Sequence, residues 1–124
     1  MRVFKTKPFD RFAVSEGIVD ATLCEAVQRA ERGLVDADLG GGVIKQRLAR
    51  PGQGRSGGFR SIVLFRRSDR AFFVYGFAKK DRDNIERDEL RAFRRLASEL
   101  LALDSSALAA AEKNGTITEI ECHG

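Results

Sequence analysis

Two apolar runs, at residues 59–65 and 71–78, dominate the hydrophobic pattern of this chain. Together they are rich in Val, Ile, Phe and Tyr, and the five residues between them are four charged residues and a serine. Such runs favour β-strands, and the polar segment between them predicts a hairpin with a solvated turn. Apolar side chains fall on both faces of the first run, so we expect both faces of the hairpin to be covered, as in central strands of a sheet.

Arg60 interrupts the first apolar run, on the same strand face as Ile62 and Leu64. A guanidinium beside a buried surface needs a partner or a bound anion, because burying an unpaired charge is costly. Arg60 is therefore the first candidate functional residue.

Helix and strand signals alternate along the rest of the chain, with glycines and capping residues at their ends. A strand at 43–49 has Ile44 and Leu48 on one face and Lys45 and Arg47 on the other, which predicts one core face and one basic face. In order, the predicted elements are a strand at 2–6, a short helix ended by Gly17, a helix between Asp20 and Gly33, a loop at 34–42, the strand at 43–49, the hairpin, a helix at 86–103, a short helix from Asp104 or Ser105 through Ala111, and a weak edge strand at 116–121.

The glycine-rich stretch RPGQGRSGG, at 50–58, contains three glycines at the spacing of a dinucleotide-binding fingerprint. That fingerprint follows a strand and opens a helix, whereas this stretch leads into another strand, so a nucleotide site is disfavoured. We interpret the stretch as a flexible loop that carries Arg50 and Arg55 and allows close approach to a phosphate.

The length of 124 residues predicts a single domain over 1–124, which buries roughly 65% of the surface of its unfolded chain. No segment approaches the roughly 20 apolar residues that span a bilayer, and the N-terminal residues lack the apolar region of a signal peptide. We therefore expect a cytoplasmic protein with no membrane segment. Cys24 and Cys122 have no CxxC spacing and are expected to be packing residues, so neither a metal site nor a cofactor is predicted.

The net charge is only +4, but the basic residues are concentrated in one part of the chain. Residues 45–82 hold 11 of the 22 Lys and Arg residues against Asp69 and Asp81, and acidic residues predominate in the rest. This asymmetry favours a surface that binds a polyanion. The alternative is a solvated basic face with no ligand, which charge alone does not exclude.

Three stretches that together span most of the chain carry a family resemblance. They are CEAVQRAERGLVDADLGGGVIKQRLARPGQGRSGGFRSIVLFR, AFFVYGFAKKDRDNI and ELRAFRRLASELLAL. In these residues the chain resembles the RelE-like branch of the RelE/ParE superfamily, the bacterial toxins of type II toxin-antitoxin systems. The resemblance implies an α+β fold, in which a small antiparallel sheet is packed by an N-terminal helical hairpin and C-terminal helices and carries a basic groove for RNA.

The resemblance also implies an activity and partners. The expected activity is ribosome-dependent, metal-free cleavage of messenger RNA, which inhibits translation. The expected partners are the ribosome, its messenger RNA and a cognate antitoxin that covers the basic face and carries a helix-turn-helix DNA-binding domain. Direct DNA binding by this chain is not expected.

RNA cleavage without a metal needs a base for the 2′-hydroxyl proton, donors for the charge that develops on the phosphate, and an acid for the 5′ oxygen. The only histidine, His123, lies next to the last residue, where fraying is expected. The remaining candidates for catalytic residues are the lysines and arginines. Because an arginine stays protonated, a lysine is the candidate base. The resemblance assigns catalytic roles to Arg60, Lys80 and Arg82, and RNA or phosphate contacts to Lys45, Arg47, Arg55 and Lys79.

The chain departs from the family pattern in its tyrosine. Some RelE members place a functional tyrosine shortly after the basic segment, whereas here none follows Asn84 and the only tyrosine is Tyr75. Its strand face is predicted to include Phe73, Phe77 and Lys79, so Tyr75 either reaches the groove or packs in the core. Two other functions stay open: a ParE-type toxin that inhibits DNA gyrase without nuclease chemistry, and an inactive module that only binds its antitoxin.

Overall fold

Four helices and six strands form the part of the chain that the computed structural model describes, residues 1–50 and 54–122, apart from the side chains of residues 50 and 54–57. The arrangement is α+β, as the sequence predicts. In chain order the elements are β1 (Arg2–Thr6), α1 (Lys7–Glu16), α2 (Asp20–Glu31), β2 (Ala37–Gly40), β3 (Val43–Arg50), β4 (Gly54–Arg66), β5 (Arg70–Ala78), α3 (Arg87–Leu100), α4 (Ser105–Lys113) and β6 (Ile117–Ile120).

The strands form one sheet in the order β2-β3-β4-β5-β1-β6. Neighbouring strands are antiparallel except β1 and β5, which are parallel. Between these two strands the chain passes through α1 and α2 and then through β2, β3 and β4. The predicted hairpin of β4 and β5 lies at the centre, and the weak strand signal near the C-terminus is confirmed as the edge strand β6.

Apolar cores cover both faces of the sheet, as predicted for its central strands. On one face α1 and α2 pack against side chains that include Leu48, Phe59, Val63 and Phe73. On the other face α3 and α4 pack against a second set, which includes Phe4, Ile62, Leu64 and Phe72. Because both faces of β4 are apolar along most of its length, a cation on this strand stands out.

Local capping chemistry sets the helix ends that the sequence indicates. Gly17 ends α1 in the left-handed conformation, with φ of 70°, which favours glycine. The carboxylate of Asp104 accepts a hydrogen bond of 2.8 Å from the backbone N–H of Ala107 and begins α4. No helix in the described ranges is long and apolar enough to cross a membrane.

Two segments predicted as loops are partly strands. Residues 37–40 within the predicted loop 34–42 form β2, which pairs with β3. In the predicted flexible loop 50–58, residue 50 belongs to β3 and residues 54–58 belong to β4, and residue 54 pairs with residue 50. Glycines carry little strand propensity, so pairing with a neighbouring strand decided these segments. The rest of the predicted loop, residues 51–53, lies outside the described residues.

The expectation that both cysteines are packing residues is wrong. Cys24 of α2 and Cys122, just after β6, form a disulfide with a Cα–Cα distance of 5.5 Å across 98 residues of sequence. Neither helix periodicity nor spacing in the sequence predicts this bond. Pairing of β6 with β1 places Cys122, which follows β6, beside Cys24. Disulfides are typical of oxidising compartments, so the cysteines give no support to the predicted cytoplasmic location.

Candidate functional site

The sheet brings most of the predicted site residues to one region, where β3, β4 and β5 meet the segment between β5 and α3. Lys45 and Arg47 of β3 lie on the same sheet face as Arg60 of β4, since Lys45 pairs with Ile62 and Arg47 with Arg60. The segment 79–86 returns across this region from the end of β5. Six of these residues form the basic cluster: Lys45, Arg47, Arg60, Lys79, Lys80 and Arg82.

Arg60 is the buried member of the basic cluster, with 7% of its surface exposed. Its neighbours in the sheet are Arg47 on one side and Phe77 on the other. Its Nη1 atom is buried and has no hydrogen-bond partner within the described residues. Burial, and then the charge of Arg47, lower the pKa of Arg60, and the negative charge of Asp36 opposes them. A guanidinium stays charged even so, and this one provides a pre-placed donor for an anion.

Tyr75 lies on the same sheet face as Arg60, but Phe73 lies on the opposite face, although the spacing of Phe73 and Tyr75 predicts a shared face. The register between β4 and β5 shifts after Ile62, which pairs with Tyr75, so that Val63 pairs with Phe73. The extra residue in β5, Val74, is a β-bulge that turns Phe73 to the opposite face. Phe73 and Tyr75 were predicted to share a face, and the bulge makes that prediction wrong.

An aromatic surface surrounds Tyr75. Its ring lies 5.8 Å, between centroids, from Phe77 of the same strand and 5.8 Å from Phe93 of α3. The guanidinium of Arg82 lies 5.8 Å from the Tyr75 ring centroid and 5.5 Å from that of Phe77. Tyr75 therefore packs at the edge of the core while its hydroxyl group faces the basic cluster.

Arg82 is the most highly connected member of the basic cluster. Its Nη1 donates to the Tyr75 hydroxyl at 2.9 Å, and its Nε donates to the backbone carbonyl of Asn84 at 2.9 Å. Both terminal nitrogens also reach the carboxylate of Glu89, at 2.6 and 3.2 Å. The hydrogen bonds to Glu89, followed by that with Tyr75, raise the pKa of Arg82. The same contact with Arg82, followed by a backbone N–H, lowers the pKa of Glu89.

The lysines of the basic cluster are more exposed to solvent than Arg60. Lys45 donates to the side-chain oxygen of Asn84 at 3.4 Å, which ties β3 to the segment 79–86. Lys79 and Lys80 are exposed immediately after β5, and their ammonium groups have no hydrogen-bond partner in the described part of the chain. Arg55 follows the start of β4, and its side chain lies outside the described residues. The structure thus places Lys45, Arg47 and Arg60 on one sheet face with Arg82 against it, and puts Lys79 and Lys80 at the exposed end of β5 beside them.

Sequence reasoning did not select Glu89, Asn84 or Phe93, although all three contact this region. Glu89 has the pattern of a helix-capping residue, because its carboxylate accepts the backbone N–H of Glu86 at 2.6 Å in the first turn of α3. Its second role, holding Arg82, depends on the path of the segment 79–86 and has no signature in the sequence.

The chain is thus a small α+β protein whose central strands carry a cluster of cations, in which Arg60 has a buried Nη1 atom without a hydrogen-bond partner among the described residues. The family model described as the RelE toxin of the RelE/RelB toxin-antitoxin system matches residues 1–120. Since this match covers nearly the whole chain, the chain belongs to that family and is a toxin of a toxin-antitoxin system, with a cognate antitoxin as its partner. No curated protein matches the chain at a significant level.

Proposed function

We propose that this toxin is a ribosome-dependent, metal-free endoribonuclease that cleaves messenger RNA and thereby inhibits translation. The observation that supports this most directly is Arg60, a buried arginine on a central strand with Nη1 unpaired in the described residues. A fold that maintains such a group beside Arg47 has a place for an anion. A phosphate with charge developing on its oxygens is the ligand that two guanidinium groups favour.

In the reaction a lysine acting as general base takes the proton of the 2′-hydroxyl while its oxygen forms a bond to phosphorus. The bond from phosphorus to the 5′-oxygen breaks, and the 5′-oxygen takes a proton from the general acid. Negative charge accumulates on the phosphate in between. Arg60 is assigned to that charge, because a pre-placed donor in a partly water-excluded site is worth more than an exposed one. Lys45, Arg47 and Lys79 are assigned to neighbouring phosphates, which exposed cations bind with little dependence on sequence. Arg55 is assigned the same role on the β4 side.

Lys80 and Arg82 are assigned to the reacting phosphate, with different tasks. Arg82 already donates to Glu89 and Tyr75, and its raised pKa disfavours release of a proton. Its role is therefore to contact and orient groups at the site. Lys80 is exposed, and its ammonium group has no hydrogen-bond partner among the described residues. We therefore assign Lys80 as the candidate acid for the 5′-oxygen.

Inducible expression in a bacterial host tests the proposal. Wild type should arrest growth and produce new messenger RNA 5′ ends in phase with codons, and Arg60→Ala should do neither. Arg67→Ala is the matched control, because it removes one exposed arginine from the β4–β5 turn, away from the basic cluster. Arg60→Lys keeps the charge but loses the forked donor geometry, and should recover little activity.

Three other results contradict the proposal. Growth arrest without new RNA ends would favour the gyrase-inhibiting alternative, and a supercoiling assay with the purified protein would then decide. Absence of arrest from a soluble, folded protein would leave an antitoxin-binding module. Equal activity in Arg60→Ala and wild type would remove Arg60 from the centre of the reaction.

The partner of this toxin is its antitoxin. We expect the antitoxin to cover the basic cluster with an acidic or amphipathic segment and to carry a helix-turn-helix DNA-binding domain.

A further inference from the structure

Glu89 connects α3 to the basic cluster through Arg82. Glu89 lies in the first turn of α3, and its Oε1 atom accepts hydrogen bonds from Arg82 Nη2 at 2.6 Å and from the backbone N–H of Glu86 at 2.6 Å. Its Oε2 atom accepts Arg82 Nη1 at 3.2 Å. The carboxylate thus accepts hydrogen bonds from both terminal nitrogens of the guanidinium and from a backbone N–H at the start of α3.

The contact continues from Arg82 to two further elements. Arg82 donates to the hydroxyl of Tyr75 on β5 and to the carbonyl of Asn84, and the Asn84 side chain in turn accepts Lys45 of β3 at 3.4 Å. One continuous set of hydrogen bonds therefore runs from Glu89 on α3 through the segment 79–86 to the central strands. The segment 79–86, which bears Lys79 and Lys80, is therefore held by side-chain hydrogen bonds at Arg82 and Asn84.

A single exposed ion pair contributes little to stability, but this pair is neither single nor fully exposed. The Arg82 and Glu89 side chains are 28% and 34% exposed, and the guanidinium also lies against the Tyr75 and Phe77 rings. Forked, charge-assisted hydrogen bonds fix orientation as well as distance. Without Glu89, a long arginine side chain in a surface segment would regain much of its rotamer freedom.

We propose that Glu89 is a positioning residue of the RNA site: it holds the Arg82 guanidinium against the Tyr75 hydroxyl and so fixes the cationic segment over the central strands. This inference rests on the proposed function. Because Glu89 also neutralises Arg82, its contribution is to geometry and not to the attraction of RNA. Loss of its charge should therefore slow cleavage without weakening RNA binding.

The matched variants are Glu89→Gln and Asp88→Asn. Gln at position 89 keeps an oxygen that can accept the Glu86 N–H but removes the charge that holds Arg82. Asp88, the adjacent residue, is 86% exposed at its side chain and pairs with Arg91 on the same helix, so Asp88→Asn removes the same charge from the same turn without touching Arg82. Any effect of net charge or of the helix N-terminus is common to both variants.

The first readout needs no RNA. Tyr75 is the only tyrosine and the chain has no tryptophan, so fluorotyrosine incorporation gives a single ¹⁹F resonance from the residue that Arg82 contacts. Glu89→Gln should shift or broaden this resonance, and Asp88→Asn should leave it unchanged. An unchanged resonance in Glu89→Gln would show that Glu89 does not hold Arg82 on Tyr75, and would overturn the inference whatever the protein does to RNA.

The second readout separates binding from turnover. In a translating extract, Glu89→Gln should cleave reporter messenger RNA about 10-fold more slowly than wild type or Asp88→Asn. Its affinity for a 2′-O-methyl RNA oligonucleotide, which cannot be cleaved, should stay within about 3-fold of wild type. Cleavage at the wild-type rate would overturn the inference, and so would tighter binding with faster cleavage, because Glu89 would then compete with RNA for Arg82.

Three outcomes show which of the two proposals is wrong. If wild type cleaves and Arg60→Ala does not, while Glu89→Gln behaves as wild type, only the role of Glu89 is wrong. If wild type neither binds nor cleaves RNA, the proposed function is wrong and the positioning role falls with it. If Glu89→Gln is slow only in proportion to a lower fraction of folded protein, measured by thermal unfolding, Glu89 is a structural residue and the inference is overturned.

Discussion

Arg47 and Arg60 lie directly opposite each other on β3 and β4, two like charges paired across neighbouring strands. Like charges directly opposite each other destabilise a sheet. The free-energy cost is larger here because Arg60 is buried and its Nη1 lacks a partner in the described part of the chain. The fold thus maintains an arrangement that costs stability. A bound anion would remove both costs, which supports the proposed role of the pair as a phosphate-binding site.

Arg60→Met should raise the melting temperature while abolishing activity, because methionine fills the space without an unpaired charge. Relief of the unpaired donor is expected to gain about 1–2 kcal/mol, which corresponds to roughly 3–10 °C for a domain of this size. Circular dichroism during heating measures the change.

Gln46→Met is the control for that experiment. Gln46 is also buried, but its side chain is hydrogen-bonded to Asp36, Ala26 and Leu34, so the same kind of replacement should lower the melting temperature. A lower melting temperature in Arg60→Met would show that Arg60 stabilises the fold and would remove the argument for an anion site.

Arg47→Ala should weaken binding of single-stranded RNA and make it less dependent on salt. Each cation that contacts a phosphate contributes about 0.7 to the slope of log affinity against log salt concentration for a single strand, so the slope should fall by roughly that amount. Fluorescence anisotropy at several salt concentrations gives the slope. Arg11→Ala is the control, since Arg11 is exposed on α1, which packs on the other sheet face. Equal slopes in the two variants would exclude a phosphate contact by Arg47.

Gly76→Ala should destabilise the protein by about 1–3 kcal/mol through overpacking. A Cβ atom at position 76 would lie 2.4 Å from the ring of Phe12, which packs edge-on against Phe59. Phe12→Ala also destabilises the protein, but the double variant should be less unstable than the sum of the two, because the clash is gone. Chemical denaturation of the three variants measures the coupling, and strict additivity would contradict the packing argument.

Reduction of the Cys24–Cys122 disulfide should lower the melting temperature by roughly 10 °C, since a cross-link that closes a loop this long contributes about 2–4 kcal/mol. The double variant Cys24→Ser, Cys122→Ser should match the reduced wild type and show no further response to reductant. Free-thiol titration of the unfolded oxidised protein should find none. Two free thiols would show that the cysteines are only neighbours.

Stability should fall in acid partly through Glu119 of β6. Hydrogen bonds from Arg2 of β1 lower the pKa of Glu119 below its ordinary value of 4.5, so the folded state binds fewer protons than the unfolded state. The stabilisation is therefore complete above about pH 4.5 and disappears as the pH falls through the lower, folded-state pKa. Because the pair is partly exposed, its size should stay below about 1 kcal/mol. Glu119→Gln should show a smaller stability loss between pH 6 and pH 3 than wild type, and an identical pH profile would contradict the assignment.

The strands and helices with strong periodicity were predictable because local propensity and tertiary packing agree. The hairpin of β4 and β5, the helix α3 and the caps at Gly17 and Asp104 follow from side-chain pattern and capping chemistry alone. The same pattern placed Arg60 on the face of Ile62, which is where the structure has it. Periodicity of two is a property of any extended strand and needs no knowledge of the fold.

The family resemblance was enough to predict the α+β class, and side-chain pattern was enough to predict the central hairpin and Arg60 as a cation that needs a partner. The bulge at Val74, the Cys24–Cys122 disulfide and the hydrogen bonds between Arg82 and Glu89 could be seen only in the folded structure. Each of these depends on contacts between residues from different elements, and such contacts are fixed by strand register and chain path. A side chain carries its local preference in the sequence, but it meets its distant partner only after the sheet has formed.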